Sequence, residues 1–454
     1  MARDAAAPLG TQIEEHLRHA IRSGTLKAGA RVPSTRDLAR QLGVSRGLVV
    51  NAYAQLGAEG YLVVRQGALP RVSDAAAGGA PEAPPTPPDA VPRYDFRPAI
   101  PDVSRFPRAA WLRCVRGALT EMTDADLGYV DARGVAQLRT ALADYLGRVR
   151  GVVADASRIV VTSGYMQSQG LVCRALKATG AKRVALESLG NPAQLQTVQR
   201  AGLEPVLIDV DEHGLRVDAL ERANADAVLL TPAHQFPVGA ALSGERRTAL
   251  LTWLRARDAI AIEDDYDAEF RYDRAAVGAL QGLEPEHIVY AGSASKTLAP
   301  ALRIAWVAVP LRLLDLVAEE KRLADRGTAH IEQHAFARFM AAGELDRHLR
   351  RMRVRYRARR DALVAALADA LPEAEIQGIA AGLHVTVRLA PSDDERAILD
   401  EAQRRHVAIE TMDEYRLGGG DGPPTLLLGY GQIAEASIRA GVAELARAIR
   451  ATRS

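Results

Sequence analysis

Cysteine is scarce in this sequence, which has only Cys114 and Cys173 among 454 residues. Both lie in apolar segments, and their separation does not match the short spacings of cysteine ligands in zinc sites. Neither a disulfide framework nor a cysteine-based metal centre is therefore expected, and no other metal site is predicted. Two buried free thiols are expected instead, which fits a reducing cytosol.

Long apolar runs are also missing. The opening residues, Met-Ala-Arg-Asp, lack the apolar core of a signal peptide, and no stretch is long and apolar enough to span a bilayer. The sequence therefore predicts a cytoplasmic protein without a membrane partner. Its 48% hydrophobic and 25% charged residues are ordinary for a soluble globular protein.

The small net charge of +2 is unevenly distributed. Residues 1–75 contain ten Lys or Arg and six Asp or Glu, a net charge of +4, so the remainder carries −2. The length predicts two or more domains. A basic amino-terminal module on a near-neutral body indicates a polyanionic partner for that module alone.

The first 74 residues have the pattern of a helix-turn-helix. Apolar residues at helical spacing predict a helix over 11–23. Ser34 can cap a short helix that ends at Leu42, and after a glycine turn Ser45 can cap another that runs to about Glu59. Two helices joined in this way are typical of DNA-binding proteins.

A linker rich in Pro, Gly and Ala follows over residues 75–92, with the sequence AAAGGAPEAPPTPPDAVP. Such a composition cannot pack a core and predicts a semi-extended tether. The predicted domains are therefore residues 1–74 and 93–454.

The large domain alternates helical stretches with short apolar runs. The runs predicted as strands lie at 158–162, 184–186, 206–208, 227–230 and 259–262. This alternation predicts an α/β fold with a largely parallel sheet, whose ligands bind at the carboxyl ends of the strands. Gly164 follows the first of these strands and precedes a long helix, an arrangement that directs helix N–H groups at an anion.

Lysine is rare too, and one of the five has unusual surroundings. The lysines are Lys27, Lys177, Lys182, Lys296 and Lys321. Lys296 alone follows an apolar strand within a loop of small hydroxyl residues, and Arg303 lies seven residues later. An amine whose charged form is disfavoured can form a Schiff base, and the loop and the arginine can hold a phosphate. Taken alone, the stretch could equally be a surface loop.

An acidic run after another strand supports the first possibility. Glu263, Asp264 and Asp265 follow a buried apolar run, and a carboxylate there can hold a protonated pyridine nitrogen, while a tyrosine such as Tyr266 can reach a phenolate oxygen. Carboxylate, tyrosine, lysine and phosphate loop together indicate a pyridoxal phosphate site.

The amino-terminal module resembles the winged-helix domain of GntR-type bacterial regulators. Residues 24–46 follow that family's pattern G-x-L-x-x-G-x-x-x-P-S-x-R-x-L-A-x-x-L-G-V-S-R. The resemblance implies contacts with double-stranded operator DNA: Ser34 and Arg36 with phosphate, Ser45, Arg46 and Gly47 with the major groove, and Arg65 and Gly67 from the wing. The family usually closes the wing with Gly-Ser-Gly-Thr, whereas this chain has Gly-Ala-Leu-Pro at 67–70.

Residues 93–454 resemble a fold-type-I aminotransferase domain, with motifs at 231–239, 262–272, 293–297, 382–384 and 426–431. With the winged helix in front, the whole chain resembles the MocR-type subfamily of GntR regulators. The resemblance implies an internal aldimine of pyridoxal 5′-phosphate on Lys296, with Asp264 at the ring nitrogen and Tyr266 at the ring hydroxyl. It also implies a homodimer and further cofactor residues: Tyr165, Met166, Ser293, Ser295 and Arg303 at the phosphate, Tyr129 reaching the partner's phosphate, and His234 under the cofactor.

Three positions depart from the family or stay open. Gly-x-Gln-Gln of the family is Gly-Tyr-Met166-Gln167 here, and an aromatic residue near the substrate is Asn191. Arg416 lies about where relatives keep an arginine for a ligand carboxylate, or else in an exposed loop. The arginine-rich stretch 330–360 could face nucleic acid, but a salt-bridged face is favoured.

These features predict a DNA-binding transcriptional regulator whose homodimeric pyridoxal-phosphate domain responds to a small amine or amino acid. The alternatives are a working aminotransferase with an appended regulatory module, and a sensor of pyridoxal phosphate itself. The sequence does not separate them, because binding the cofactor and using it require nearly the same groups.

Overall fold

The computed structural model describes residues 7–65, 68–74, 91–272, 277–378, 380–420 and 422–453. The chain divides into two compact units, residues 1–90 and 91–454. Gly67 of the predicted wing and residues 75–90 of the predicted linker lie outside the described residues.

The first unit is a small three-helix domain with a two-stranded hairpin. Its elements are α1 (Leu9–Arg22), α2 (Thr35–Leu42), α3 (Arg46–Ala58), β1 (Leu62–Val63) and β2 (Arg71–Val72). Ser34 and Ser45 cap α2 and α3 by accepting hydrogen bonds from Asp37 N and Leu48 N, at 3.2 and 3.4 Å. Gly43 ends α2 with a φ of +62°, a left-handed conformation that suits glycine. The predicted helix-turn-helix is therefore present, and β1 pairs antiparallel with β2 as a wing.

The second unit contains most of the secondary structure. Its described strands are β3 (Tyr94–Asp95), β4 (Ile159–Thr162), β5 (Arg183–Glu187), β6 (Glu204–Ile208), β7 (Val210–Asp211), β8 (Gly214–Leu215), β9 (Ala227–Leu230), β10 (Ile260–Asp265), β11 (Ile288–Ser293), β12 (Ala305–Ala308), β13 (Glu375–Gln377), β14 (His384–Arg388), β15 (Val407–Ala408), β16 (Glu410–Thr411) and β17 (Thr425–Gly429). Its described helices are α4 (Arg108–Glu121), α5 (Ala136–Arg150), α6 (Tyr165–Ala178), α7 (Pro192–Arg200), α8 (Val217–Arg222), α9 (Gly244–Arg257), α10 (Ala294–Thr297), α11 (Leu311–Asp325), α12 (His330–Ala341), α13 (Glu344–Ala370), α14 (Glu395–Arg404) and α15 (Glu435–Thr452).

A seven-stranded sheet forms the centre, in the order β4-β12-β11-β10-β9-β5-β6. The strand β12 is antiparallel to both of its neighbours, whereas the remaining described pairs are parallel. Helices cover both faces: the adjacent Val160 and Val161 are both fully buried, yet they belong to different apolar clusters. Burial on both faces explains why these strands are continuous apolar runs, and the predicted α/β fold is confirmed.

A smaller antiparallel sheet, in the order β13-β14-β17-β16, forms the carboxyl-terminal part with α14 and α15. The arginine-rich stretch is interrupted at Gly343, so it forms the whole of α12 and the start of α13 instead of one helix. Several of its arginines pair with carboxylates, namely Arg347, Arg357, Arg359 and Arg360. These pairs agree with the salt-bridged face favoured from the sequence.

Two sequence expectations concern burial. Cys114 and Cys173 are both buried free thiols, as predicted. Lys321, which the sequence placed only in a charged helical run, has a fully buried side chain.

No helix among the described residues is long and apolar enough to cross a membrane.

Candidate functional site

Sheet topology brings the predicted cofactor residues to one edge. Parallel strands place the residues that follow them at their carboxyl ends, as with Lys296 after β11 and Gly164 after β4. Because β12 runs the other way, it is its amino end that reaches this edge: Ala305 pairs with both Thr162 and Ser293. Arg303 therefore precedes its strand, yet lies beside residues that follow theirs.

The three acidic residues of β10 divide between the two faces of the sheet, as pleating requires. Glu263 accepts hydrogen bonds from Leu280 N and Gln281 N, at 2.9 and 3.0 Å. Asp265 accepts hydrogen bonds from Arg150 Nε and Tyr290 Oη, both at 2.7 Å. These two carboxylates are therefore occupied by structural partners.

Asp264 lies between them and faces the site. Its Oδ2 accepts a hydrogen bond of 3.2 Å from Gln194 Nε2. Burial raises the pKa of Asp264 well above its usual value, and the neighbouring Asp265 and Asp267 add to this, while Lys296 opposes it. A cationic ring N–H would stabilise the charged form of such a carboxyl, which is the partner that a pyridine nitrogen needs.

Lys296 lies in α10, the single helical turn that follows β11. Its Nζ donates a hydrogen bond of 2.6 Å to the carbonyl oxygen of Ala99, almost two hundred residues earlier. Burial lowers the pKa of Lys296, and the nearby Asp267 and Asp264 oppose that shift. A larger fraction of neutral amine is available than on an exposed lysine, which favours attack on a carbonyl carbon.

Tyr266 belongs to a cluster with a histidine and a further carboxylate. His234 Nδ1 lies 3.0 Å from Tyr266 Oη and 3.1 Å from Asp267 Oδ2. The ring of His384 lies nearby, tilted by 39° with its centre 5.2 Å from that of His234, and burial lowers the pKa of His384 to about 4. The cluster orients the tyrosine hydroxyl at the edge of the sheet next to Asp264.

His234, Asp267 and His384 are also buried residues whose ligand atoms lie within 4.8 Å of one another. However, His234 and Asp267 hydrogen-bond directly, and Gly382 closes over them. A Cβ on Gly382 would lie 2.2 Å from His234 Cε1 and 2.4 Å from Asp267 Oδ2. The arrangement is thus that of a packed hydrogen-bonded cluster, and the sequence predicted no metal here.

An anion cradle forms where β4 meets α6. Tyr165 and Met166 are the first residues of α6, so the free N–H groups of its first turn point to the same edge as Lys296. The guanidinium of Arg303 lies against Gly164, 2.5 Å from where a Cβ of that residue would be. Ser293 ends β11 and Ser295 lies in α10 beside Lys296.

These observations fit pyridoxal 5′-phosphate. The amine, the buried carboxyl and the tyrosine hydroxyl belong to residues at the carboxyl ends of the neighbouring strands β10 and β11, and a guanidinium and a helix start offer donors for a phosphate ester. The two ends of the site therefore match the ring and the phosphate of one molecule.

Of the two departures from the family pattern, Asn191 has a structural explanation, whereas nothing in the described residues explains Met166. The neighbouring Gln167 keeps the amide that the family has. Gln167 accepts a hydrogen bond of 2.8 Å from Ser163 N and donates one of 2.8 Å to Asp325 Oδ2, so its amide stabilises the loop. Asn191 caps α7 by accepting a hydrogen bond from Ala193 N at 2.9 Å. An aromatic residue at Asn191 could not make this cap.

The side chains of Tyr129 and Arg416 have other partners than this cluster of groups. Tyr129 is 84% exposed, and the Arg326 guanidinium lies 5.3 Å from its ring centre. Arg416 lies beside Gly422 with its Nε 3.8 Å from Asp413 Oδ1, and lines a cavity of about 270 Å³ whose lining contains no other predicted site residue. The predicted carboxylate contact of Arg416 therefore stays a prediction.

In the first unit, the predicted DNA contacts that fall on described residues lie at the surface. Arg36 lies in the first turn of α2, Arg46 and Gly47 begin α3, and Arg65 follows β1; all four are exposed. A Cβ on Gly47 would meet no atom within 4 Å, so the start of α3 is open to a partner. Gly67 lies outside the described residues.

Sequence reasoning did not single out four residues of the site: Gln194, Asp267, His384 and Lys321. Gln194 and Lys321 have no sequence signal, because each meets its partner through tertiary packing. Asp267 was part of the quoted acidic run, and His384 part of the Gly-Leu-His motif, so the motifs contained them without indicating a role.

Comparisons with known proteins agree with this geometry. Residues 105–422 match the aminotransferase class I and II family, and residues 9–69 match the bacterial regulatory proteins of the gntR family. The chain is 31% identical to the HTH-type pyridoxine biosynthesis transcriptional regulator PdxR of Corynebacterium glutamicum, over 97% of this chain and 95% of that protein. It is 30% identical to the probable rhizopine catabolism regulatory protein MocR of Rhizobium meliloti, over 100% and 96%.

Among solved structures, the kynurenine aminotransferase of Pyrococcus horikoshii, in complex with PMP, is similar with a TM-score of 0.73 and 25% identity. The similarity covers 80% of this chain and 92% of that chain. The second unit thus has the fold of a pyridoxal-phosphate enzyme, joined to a DNA-binding unit.

Proposed function

Because the chain belongs to the MocR-type subfamily of GntR transcriptional regulators, and its second unit has pyridoxal 5′-phosphate as cofactor, we propose that a ligand of the second unit regulates DNA binding by the first. The first unit binds operator DNA, and the second unit reports on a ligand held at Lys296. That ligand is a small amine or amino acid that competes with Lys296, or pyridoxal 5′-phosphate itself. As a DNA-binding regulator, the protein acts in the cytoplasm.

One observation carries the proposal: the half-buried amine of Lys296 and the buried carboxyl of Asp264 lie at the carboxyl ends of the adjacent strands β11 and β10, with Arg303 and the start of α6 at the same edge. When bound, the cofactor supplies an aldehyde carbon that a primary amine can attack. Lys296 is the amine that would hold it covalently. Asp264 would hold a proton at the ring nitrogen, and Tyr266 would donate a hydrogen bond to the ring hydroxyl.

Burial is what makes Lys296 suitable for a switch. Because its pKa is lowered, the Lys296 amine is more readily neutral. Lys296 and an effector amine would then compete for the cofactor aldehyde in the same, neutral form. A Lys296 amine that an effector had displaced would have the carbonyl oxygen of Ala99 as its hydrogen-bond acceptor. An effector that changes this contact could favour one conformation of the chain over another, which ligand-driven regulation requires.

Exposed apolar side chains support a homodimer. Leu112 and Leu119 are both more than half exposed and lie seven residues apart on one face of α4, and Leu127 and Tyr129, in the segment that follows this helix, are more than half exposed as well. An exposed apolar helix face is typical of a protein–protein interface. In the proposed dimer Tyr129 reaches the phosphate of the partner subunit.

Pyridoxal 5′-phosphate as the effector is supported by similarity to PdxR, a regulator of pyridoxine biosynthesis in Corynebacterium glutamicum. A working aminotransferase is the competing function, since the second unit is also 27% identical to the aromatic-amino-acid aminotransferase 1 of Thermococcus litoralis over 77% of this chain.

DNA-binding measurements distinguish these functions. Footprinting of the purified protein on the DNA upstream of its own gene, with and without pyridoxal 5′-phosphate and then with candidate amines, should show protection that changes with one ligand. Lys296→Ala should bind the same DNA without the ligand response. Sustained turnover of amino donors and keto acids at about 1–1000 per second, with no ligand-dependent footprint, would support the aminotransferase instead.

A further inference from the structure

Lys321 is the most deeply buried lysine of the described residues, and the cofactor chemistry does not use it. Its side chain is fully buried on α11, whereas Lys27, Lys177 and Lys182 are exposed. A buried ammonium is unfavourable unless each of its donors has a partner. The hydrogen-bond partners of Lys321 therefore indicate its role.

All three N–H donors of Lys321 have acceptors. Nζ donates to Gln167 Oε1 at 3.0 Å, to Asp325 Oδ2 at 2.7 Å and to Thr328 Oγ1 at 2.9 Å. Gln167 lies in the first turn of α6, the turn whose N–H groups form the anion cradle. Lys321 thus joins the cradle to the loop that follows α11.

Gln167 also hydrogen-bonds to the backbone of the anion cradle itself. Gln167 Oε1 accepts from Ser163 N at 2.8 Å as well as from Lys321. Ser163 immediately precedes Gly164, against which Arg303 lies. The position of the Gln167 amide therefore sets the backbone of the loop that a phosphate would approach.

The other end of the network is anchored independently of the cradle. Asp325 Oδ1 accepts from Gly327 N at 2.9 Å, and the carbonyl of Thr328 accepts from Gln333 Nε2 at 2.7 Å. Gln333 is fully buried and its Oε1 also accepts from Val135 N at 2.9 Å. The ammonium therefore links the Ser163–Gln167 turn to a loop that is anchored on the buried Gln333.

We propose that Lys321 is a positioning residue, which holds the Ser163–Gln167 turn in the conformation that binds a phosphate ester. The inference rests on the proposed function and deepens it, because it assigns the phosphate selectivity of the site to a residue that does not touch the ligand. The fit of the pyridine ring in the site and its covalent attachment depend on residues at the ends of β10 and β11. Neither should therefore depend on Lys321.

The test compares two aldehydes, pyridoxal 5′-phosphate and 5′-deoxypyridoxal, which has the same ring without the phosphate ester. Both are titrated into the full-length protein, and attachment to Lys296 is measured by absorbance and by borohydride trapping. Lys321→Met should weaken binding of the phosphate ester about tenfold or more, the size expected for losing a hydrogen bond to a charged group. Binding of 5′-deoxypyridoxal should be unchanged.

Lys177→Met is the matched control, since Lys177 lies at the exposed end of α6, the helix that Lys321 contacts through Gln167, and should alter neither titration. Should Lys321→Met not fold, Thr328→Val removes one acceptor with little change of shape and should show the same selectivity to a smaller extent. Equal losses for both aldehydes, or no loss for either, in a folded variant would overturn the inference. Failure of the unsubstituted protein to trap either aldehyde would instead refute the proposed function itself.

Discussion

The guanidinium of Arg303 lies so close to Gly164 that a Cβ on that glycine would be 2.5 Å from Arg303 Nη2. The two residues are far apart in sequence and meet because β12 is antiparallel to β4. A side chain at position 164 must therefore displace the arginine from the start of α6. This relationship makes the phosphate end of the site testable without altering a charged residue.

Gly164→Ala should weaken pyridoxal 5′-phosphate binding about tenfold, because the displaced guanidinium no longer forms charge-assisted hydrogen bonds with the phosphate. Titration of the absorbance of the bound cofactor measures the change. In a double-mutant cycle, Gly164→Ala combined with Arg303→Ala should lose little more than Arg303→Ala alone. Fully additive losses would show that Gly164 acts independently of the arginine.

Gly147→Ala is the control for the previous substitution. Gly147 lies within α5, and a Cβ there would meet only Val152 O, at 3.7 Å. Since glycine within a helix costs about 1 kcal/mol relative to alanine, this variant should be at least as stable as the parent protein and bind the cofactor equally.

Lys296→Ala should abolish the visible absorbance and the borohydride-stable attachment of the cofactor, since no other amine is expected at Asp264. Peptide mapping of the reduced protein should place the modification at residue 296. The variant should still bind DNA, because its helix-turn-helix belongs to the other unit. Lys182→Ala, at an exposed position, is the control, and a Lys296→Ala protein that keeps the reducible attachment would show that a different lysine is used.

Arg46→Ala should weaken operator binding by about 1–3 kcal/mol and affect random DNA much less, as expected of an arginine that pairs with a guanine edge. Arg46 is exposed at the start of α3, where a major-groove contact is possible. Binding isotherms on both DNAs at one salt concentration measure the difference. Arg200→Ala, in the other unit, should leave both unchanged, and equal losses on both DNAs would assign Arg46 to phosphate contact.

The buried carboxyl of Glu263 should make the free energy of unfolding depend on pH. Burial raises the pKa of Glu263 to about 7 from 4.5, with Asp265 adding to the shift. Between these values the folded state binds more protons than the unfolded state, so this residue's contribution to stability is present at low pH and is lost as the pH rises to about 7.

Glu263→Gln should therefore gain thermal stability relative to the parent protein as the pH is raised from about 5 to about 8. Each unit of pKa shift corresponds to about 1.4 kcal/mol. Melting temperatures of both proteins across this range give the comparison, and Glu212→Gln, at an exposed position, is the control. A difference that stays constant with pH would contradict the assignment to Glu263.

Much of the architecture was predictable from local sequence. Capping serines around a glycine turn indicated the helix-turn-helix, because capping acts within a few residues. Apolar runs followed by Lys296 and Asp264 indicated the carboxyl edge of a parallel sheet, because strands buried on both faces must be apolar throughout. The α/β fold and its cofactor followed from these patterns together with the family resemblance.

Contacts between distant segments were decided only by the tertiary structure. Nothing local distinguishes Asp264 from Glu263 and Asp265; packing determines that Leu280 and Arg150 occupy the outer two and leave the middle one to the site. Likewise, an Arg- and Glu-rich helix does not reveal that the ammonium of Lys321 is buried against Gln167, more than 150 residues away. The physical reason is that partners of buried charges are chosen by which elements pack together, and strand order and direction set that packing across the whole chain.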